Sequence, residues 1–124
     1  MRILLIDDSP MQQKIARIYL EKGEGHEVIS AADGKEGLEM AKQNAPDLIL
    51  LDVEMPVMNG NDALKALKED SSTKDIPVVM CTANDEITEE AFISMGAIGY
   101  IKKPHGFGTL RSTIKEIFGE KALG

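Results

Sequence analysis

The residues able to do chemistry in this sequence stand directly after short apolar runs. Ile3-Leu4-Leu5-Ile6 leads into Asp7-Asp8, Leu48-Ile49-Leu50-Leu51 into Asp52, Val78-Val79-Met80-Cys81 into Thr82, and Tyr100-Ile101 into Lys102-Lys103-Pro104. Three carboxylates gathered in one place repel one another, and the repulsion is relieved by protonation or by a bound cation. An oxygen-only donor set without histidine or thiolate favours a hard ion, and a half-open site that keeps several waters suits Mg²⁺. With its charge partly neutralised, a carboxylate such as Asp52 can act as a nucleophile towards phosphorus and form an acyl phosphate. The phosphoryl oxygens then need donors, which the Thr82 hydroxyl and the Lys103 ammonium supply. A cis peptide before Pro104, costing only about 0.5–1 kcal/mol, would turn Lys103 back towards the other groups.

These groups meet only if the apolar runs are neighbouring strands of one sheet. The runs at 3–6, 48–51 and 78–81, with weaker ones at 27–29 and 99–101, alternate with segments of helical period, the pattern of a parallel sheet covered by helices. Ligands of such a sheet bind beyond the carboxyl ends of its strands, where the chemical groups stand. Met11, Ile15 and Ile18 form the expected inner stripe of the first helix, opened by Ser9 as N-cap with Pro10 at the first helical position and stopped by Gly23 and Gly25. Asp33 and Glu36 make a capping box for the second helix, with Leu38, Ala41 and Ala45 inward and Pro46 ending it. The third helix follows Asn59-Gly60 with Ala63, Leu64 and Leu67 inward; the fourth carries Ile87, Ala91 and Met95, and the fifth Leu110, Ile114 and Ile117. Right-handed crossovers with helices on both faces give a doubly wound α/β fold, a five-stranded parallel sheet with five helices and an expected order of 2-1-3-4-5. A length of 124 residues fits one domain over 1–124.

Composition narrows the partners. A formal net charge of -7 argues against a grip on the phosphate backbone of nucleic acid. No apolar run approaches bilayer length and no signal-peptide core follows Met1, so a cytoplasmic protein without membrane attachment is expected. Cys81 lies in an apolar run and reads as a buried small hydrophobe, and His26 as a solvated residue at a strand start. Taken singly, Asp8 reads as a helix cap, Asp52 as a turn residue before Pro56 and Lys103 as a solvated lysine. Suitable groups at four strand ends outweigh those separate readings.

The stretches Leu5-Ile6-Asp7-Asp8-Ser9, Leu50 to Gly60, Cys81-Thr82-Ala83 and Gly96 to Pro104 closely resemble the receiver domain of two-component response regulators, nearest the single-domain chemotaxis type. The resemblance runs from Met1 to about Gly119, and the order 2-1-3-4-5 of this flavodoxin-like fold belongs partly to it. It implies that Asp52 accepts phosphate from a sensor histidine kinase. It also implies that Asp8, Asp52 and the backbone carbonyl of Glu54 hold Mg²⁺, with Asp7 contributing through water. Thr82 and Lys103 would contact the phosphoryl group while Lys102 stays a bystander. Thr82 and Tyr100 would act as a switch that alters a face made of the fourth helix, fifth strand and fifth helix, read by a downstream protein. Glu54 and Asn84 would border the attacking water and tune dephosphorylation. Such a domain catalyses its own phosphoryl transfer and slow autodephosphorylation without being a turnover enzyme. A monomer is expected, with dimerisation through the fifth helix left open. Two positions depart from the family pattern, Asn59 where aspartate is common and His105 where phenylalanine is common.

Three other readings share parts of this pattern. A haloacid dehalogenase-like phosphatase also uses a strand-end aspartate and Mg²⁺, but places it on the first strand and adds a cap for which this chain has no residues. A flavin carrier of the same sheet order would have its phosphate repelled by Asp7-Asp8. A receiver belonging to a longer regulator has the same sequence features as a single-domain protein.

Overall fold

The computed structural model of the chain describes residues 1–22, 26–53, 60–82 and 89–102. Its elements are β1 (Arg2–Ile6), α1 (Pro10–Arg17) continuing into a π-helical turn (Ile18–Lys22), β2 (Glu27–Ala31), α2 (Gly34–Asn44), β3 (Leu48–Asp52), α3 (Gly60–Glu69), β4 (Val78–Thr82), α4 (Glu89–Ser94) and β5 (Gly99–Lys102). The strands form one parallel sheet in the order β2-β1-β3-β4-β5, as expected. Four helices fall within the described residues, and the expected fifth, with Leu110, Ile114 and Ile117, lies outside them.

The central strands are apolar throughout because both of their faces are covered. Alternate residues turn to opposite sides. Leu4, Ile6, Ile49, Leu51, Val78 and Met80 pack with Ala41, Leu64, Leu67 and Phe92 of α2, α3 and α4. Ile3, Leu5, Leu48, Leu50, Val79 and Cys81 pack with Ala16 and Leu20 on the α1 side. Each such Leu or Ile, removed from water, stabilises the fold by about 1.5–3 kcal/mol before entropy is counted.

Local signals at the starts of α1 and α2 are obeyed, while the expected stop of the first helix at Gly23 and Gly25 lies outside the described residues. Ser9 Oγ accepts from the Gln12 N–H with Pro10 in the first turn. Asp33 accepts from the Glu36 N–H at 2.8 Å, while the Glu36 carboxylate reaches back to the N–H of Ala32. Ala63, Leu64 and Leu67 are buried on α3. Cys81 is buried as well.

Three helix faces differ from the expectation. Met11 is 70% and Ile18 47% exposed, while Ile15 packs inward as expected beside the fully buried Ala16, with Leu20 of the π-helical turn completing the inner side. The stripe of large apolar residues misleads here because the helix lies against the sheet through a small residue, with Gln13 turned in to donate to the Asp7 carbonyl at 2.6 Å. Ala45 is exposed rather than inward, since it is the C-cap of α2 in the left-handed conformation (φ 45, ψ 60), and the buried positions are Gly34, Gly37 and Ala41. On α4, Ala91 and Met95 face solvent while Phe92 fills the core, and Ile87 lies outside the described residues. His26 also departs from its expected solvation. It is buried, with Nδ1 3.2 Å from the terminal amine of Met1.

Candidate functional site

Strand register assembles the site. Ile6 is the register partner of Leu51, so the next residues, Asp7 and Asp52, emerge side by side at the carboxyl edge of the two central strands. Asp52 is in turn aligned with Cys81, which sets Thr82 one residue further out on β4. Carboxylate oxygens of Asp7, Asp8 and Asp52 all lie within 4.8 Å of one another. Asp7 and Asp52 are buried and Asp8 is exposed, so the cluster has two acids in the protein and one at its mouth.

Backbone contacts hold these acids in place. The Asp7 N–H donates to the carbonyl of Ala31, and its Oδ1 accepts from the Ser9 N–H at 2.9 Å. Beyond Asp52, the Val53 N–H donates to the carbonyl of Cys81, extending the ladder by one bond, and the Gly60 N–H donates to the carbonyl of Val53. Burial of like charges at this spacing is costly, at roughly 4 kcal/mol for a pair 4 Å apart in a partly screened surrounding. An all-oxygen, partly open set of three carboxylates fits a hard divalent cation, which would relieve that cost.

Thr82 is fully buried at the end of β4. Met80 is the register partner of Tyr100, and Thr82 lies two residues beyond Met80, so Thr82 and Tyr100 are on the same face of the sheet. Tyr100 is 37% exposed, with its ring 6.1 Å from that of the buried Phe92. Glu54, Asn84 and Lys103 lie outside the described residues, as do Asn59, Pro104 and His105. Lys102, at the end of β5, is the register partner of Thr82.

Two residues of this neighbourhood escaped the sequence reading. Gln13 had no signal, being one polar residue on a polar-faced helix. Gly60 read only as a helix start, although a glycine soon after a strand-end aspartate is a hint of close packing. A groove of about 290 Å³ along α3, lined by residues including Asn61, Lys65, Lys68 and Met95, contains none of the three carboxylates.

Residues 3–115 match the model of the response regulator receiver domain. The chain belongs to that family. Among curated relatives it is 38% identical over 117 residues to the protein PilH of Pseudomonas aeruginosa, covering 94% of this chain and 96% of that one. Against some other curated relatives the chain spans about half their length. A chemotaxis protein of Vibrio cholerae superposes with a TM-score of 0.84 at 33% identity, over 94% of this chain and 98% of that one. The receiver domain of a sensor histidine kinase from Pseudomonas aeruginosa, described with magnesium ion coordinated in its active site cleft, has a TM-score of 0.82 at 25% identity, over 93% and 94% of the two chains. As a receiver domain, the chain serves as a phosphoacceptor in two-component signalling. Among the described residues, no helix is long and apolar enough to cross a membrane.

Proposed function

We propose that Asp52 is the phosphoacceptor, that residues 1–124 form one receiver domain around it, and that its donor is the phosphohistidine of a sensor kinase. The observation carrying this reading is the meeting of Asp7, Asp8 and Asp52 at the carboxyl edge of β1 and β3. An oxygen of the Asp52 carboxylate attacks phosphorus. The new O–P bond forms as the N–P bond of the donor breaks, and the imidazole leaves with a proton from solvent. Asp8, Asp52 and the backbone carbonyl of Glu54 would hold Mg²⁺, which would supply the charge neutralisation that lets an anionic donor approach. Asp7 has one oxygen engaged by the Ser9 N–H, which suits a contribution through water. Thr82 donates its hydroxyl and Lys103 its ammonium to the phosphoryl oxygens, so catalysis is positioning and charge stabilisation.

Slow autodephosphorylation returns the Asp52 carboxylate when water attacks the same phosphorus, the acyl O–P bond breaks and inorganic phosphate leaves, with Glu54 and Asn84 bordering the water's route. The protein turns over no separate substrate. Thr82, drawn to the phosphoryl group, vacates space on the face it shares with Tyr100, biasing a surface of α4, β5 and the fifth helix between two states. A downstream protein reads that surface, in the cytoplasm, from a monomeric receiver of chemotaxis type.

Phosphorylation by a small acyl phosphate, with and without Mg²⁺, tests the reading. Labelling is expected to need both Mg²⁺ and Asp52, and equal labelling of the parent and Asp52→Asn overturns it. Unchanged NMR environments of Tyr100 and Phe92 on adding a phosphate mimic would overturn the switch.

A further inference from the structure

We infer that Gly60 is a positioning residue for Asp52, setting where the acceptor carboxylate stands by letting the first turn of α3 lie directly on the backbone that carries it. A Cβ built on Gly60 would sit 2.5 Å from the carbonyl oxygen of Asp52 and 2.6 Å from the Cα of Val53, closer than real Cβ atoms approach such atoms. Both are main-chain atoms, so no side-chain rotation relieves the clash. Gly37 differs, because the atoms nearest its Cβ would be side-chain atoms of Ile6. Conformational freedom is not the reason for glycine here. Among the described glycines only Gly96 has a positive φ, so any residue could adopt the Gly60 backbone, and the requirement is for space.

The same contact is fastened by a hydrogen bond of 2.9 Å from the Gly60 N–H to the Val53 carbonyl. Asp52 is thus gripped from two sides. The ladder to β4 continues through the Val53 N–H, and α3 bears on the Asp52 carbonyl from outside the sheet. Adding one methyl group at Gly60 pushes α3 and the end of β3 apart. A displacement near 1 Å at a reacting group is enough to cost about a hundred-fold in rate.

This inference rests on the reading of Asp52 as phosphoacceptor, and the test separates the two. Gly60→Ala is compared with the parent and with Leu67→Ala, which removes a buried side chain further along α3 and lowers stability without touching Asp52. Gly60→Ala is also made in an Ala45→Gly background, which relieves the left-handed strain at the end of α2. The expected result is a folded Gly60→Ala protein whose metal-free amide NMR shifts move at Asp52 and Val53. Its Mg²⁺ affinity and acyl-phosphate labelling rate should fall about 10- to 100-fold. Leu67→Ala should melt at lower temperature yet label at the parent rate while folded. Parent-like shifts at Asp52 and Val53 in Gly60→Ala, or failure to fold in both backgrounds, overturn the positioning role. Equal labelling of the parent and Asp52→Asn instead overturns the phosphoacceptor reading, and the metal-free shifts still judge Gly60.

Discussion

The two edges of the sheet handle acidic residues in opposite ways. At the amino-terminal edge, Arg2 serves several groups at once: its Nε lies 3.3 Å from the Glu27 carboxylate, its Nη1 donates to the Asn44 carbonyl at 2.8 Å, and its backbone N–H donates to Asp47. Nearby, Lys42 reaches Asp70 at 3.0 Å. At the carboxyl edge, Asp7, Asp8 and Asp52 face one another within 4.8 Å. Acids given basic partners tie helices and loops to the sheet. Acids brought this close to one another form a site that a cation can occupy, and the difference marks which edge is structural and which is chemical.

The largest expected effect is at the chemical edge. Asp52→Asn should abolish acyl-phosphate labelling and, without divalent cations, raise stability by about 1–3 kcal/mol through lost repulsion, measured by urea unfolding. A fall in metal-free stability would contradict the contrast between the edges. Next comes Ala45→Gly at the structural edge, where the left-handed φ of 45 strains a residue with a Cβ. Thermal melts should show about 1 kcal/mol of added stability, with labelling unchanged. Arg2→Ala should cost about 0.5–1 kcal/mol, since its ion pair is largely exposed, and should also leave labelling intact. If labelling falls with Arg2→Ala, the two edges are coupled.

The smallest effect concerns acid. Hydrogen bonds from the Ser72 side chain and backbone, then from Lys42, lower the Asp70 carboxyl from 3.8 to about 2. The stabilisation from this depressed value is complete above pH 3.8, declines as pH falls towards 2 and is lost below it. Asp70→Asn should therefore make the stability profile of the folded protein shallower between those values, detectable by pH-dependent melts, and leave neutral-pH labelling alone.

Much of this was legible in the residues. Four apolar runs ending in chemical groups announced parallel strands and a carboxyl-edge site, and the caps at Ser9 and Asp33 announced two helices, because both signals depend on neighbours in the chain. The inner face of α1 was legible only in part. Met11, Ile15 and Ile18 have a proper helical spacing, yet only Ile15 of the three packs inward, and Ala16 and Leu20 complete the face turned to the sheet. Spacing reports that a face exists, and only the meeting of helix and sheet decides which face can approach closely.

What the amino-acid sequence determined by itself is the list of groups and the element that ends in each, since strand runs, turn residues and caps act over a few residues. Tertiary structure alone decided that Asp7 and Asp52 are buried while Asp8 is exposed, that His26 is enclosed beside Met1, and that Gly60 must carry no side chain. Burial and close approach are properties of surfaces brought together from distant parts of the chain. No local pattern contains them until register aligns Ile6 with Leu51 and α3 comes to rest on Asp52.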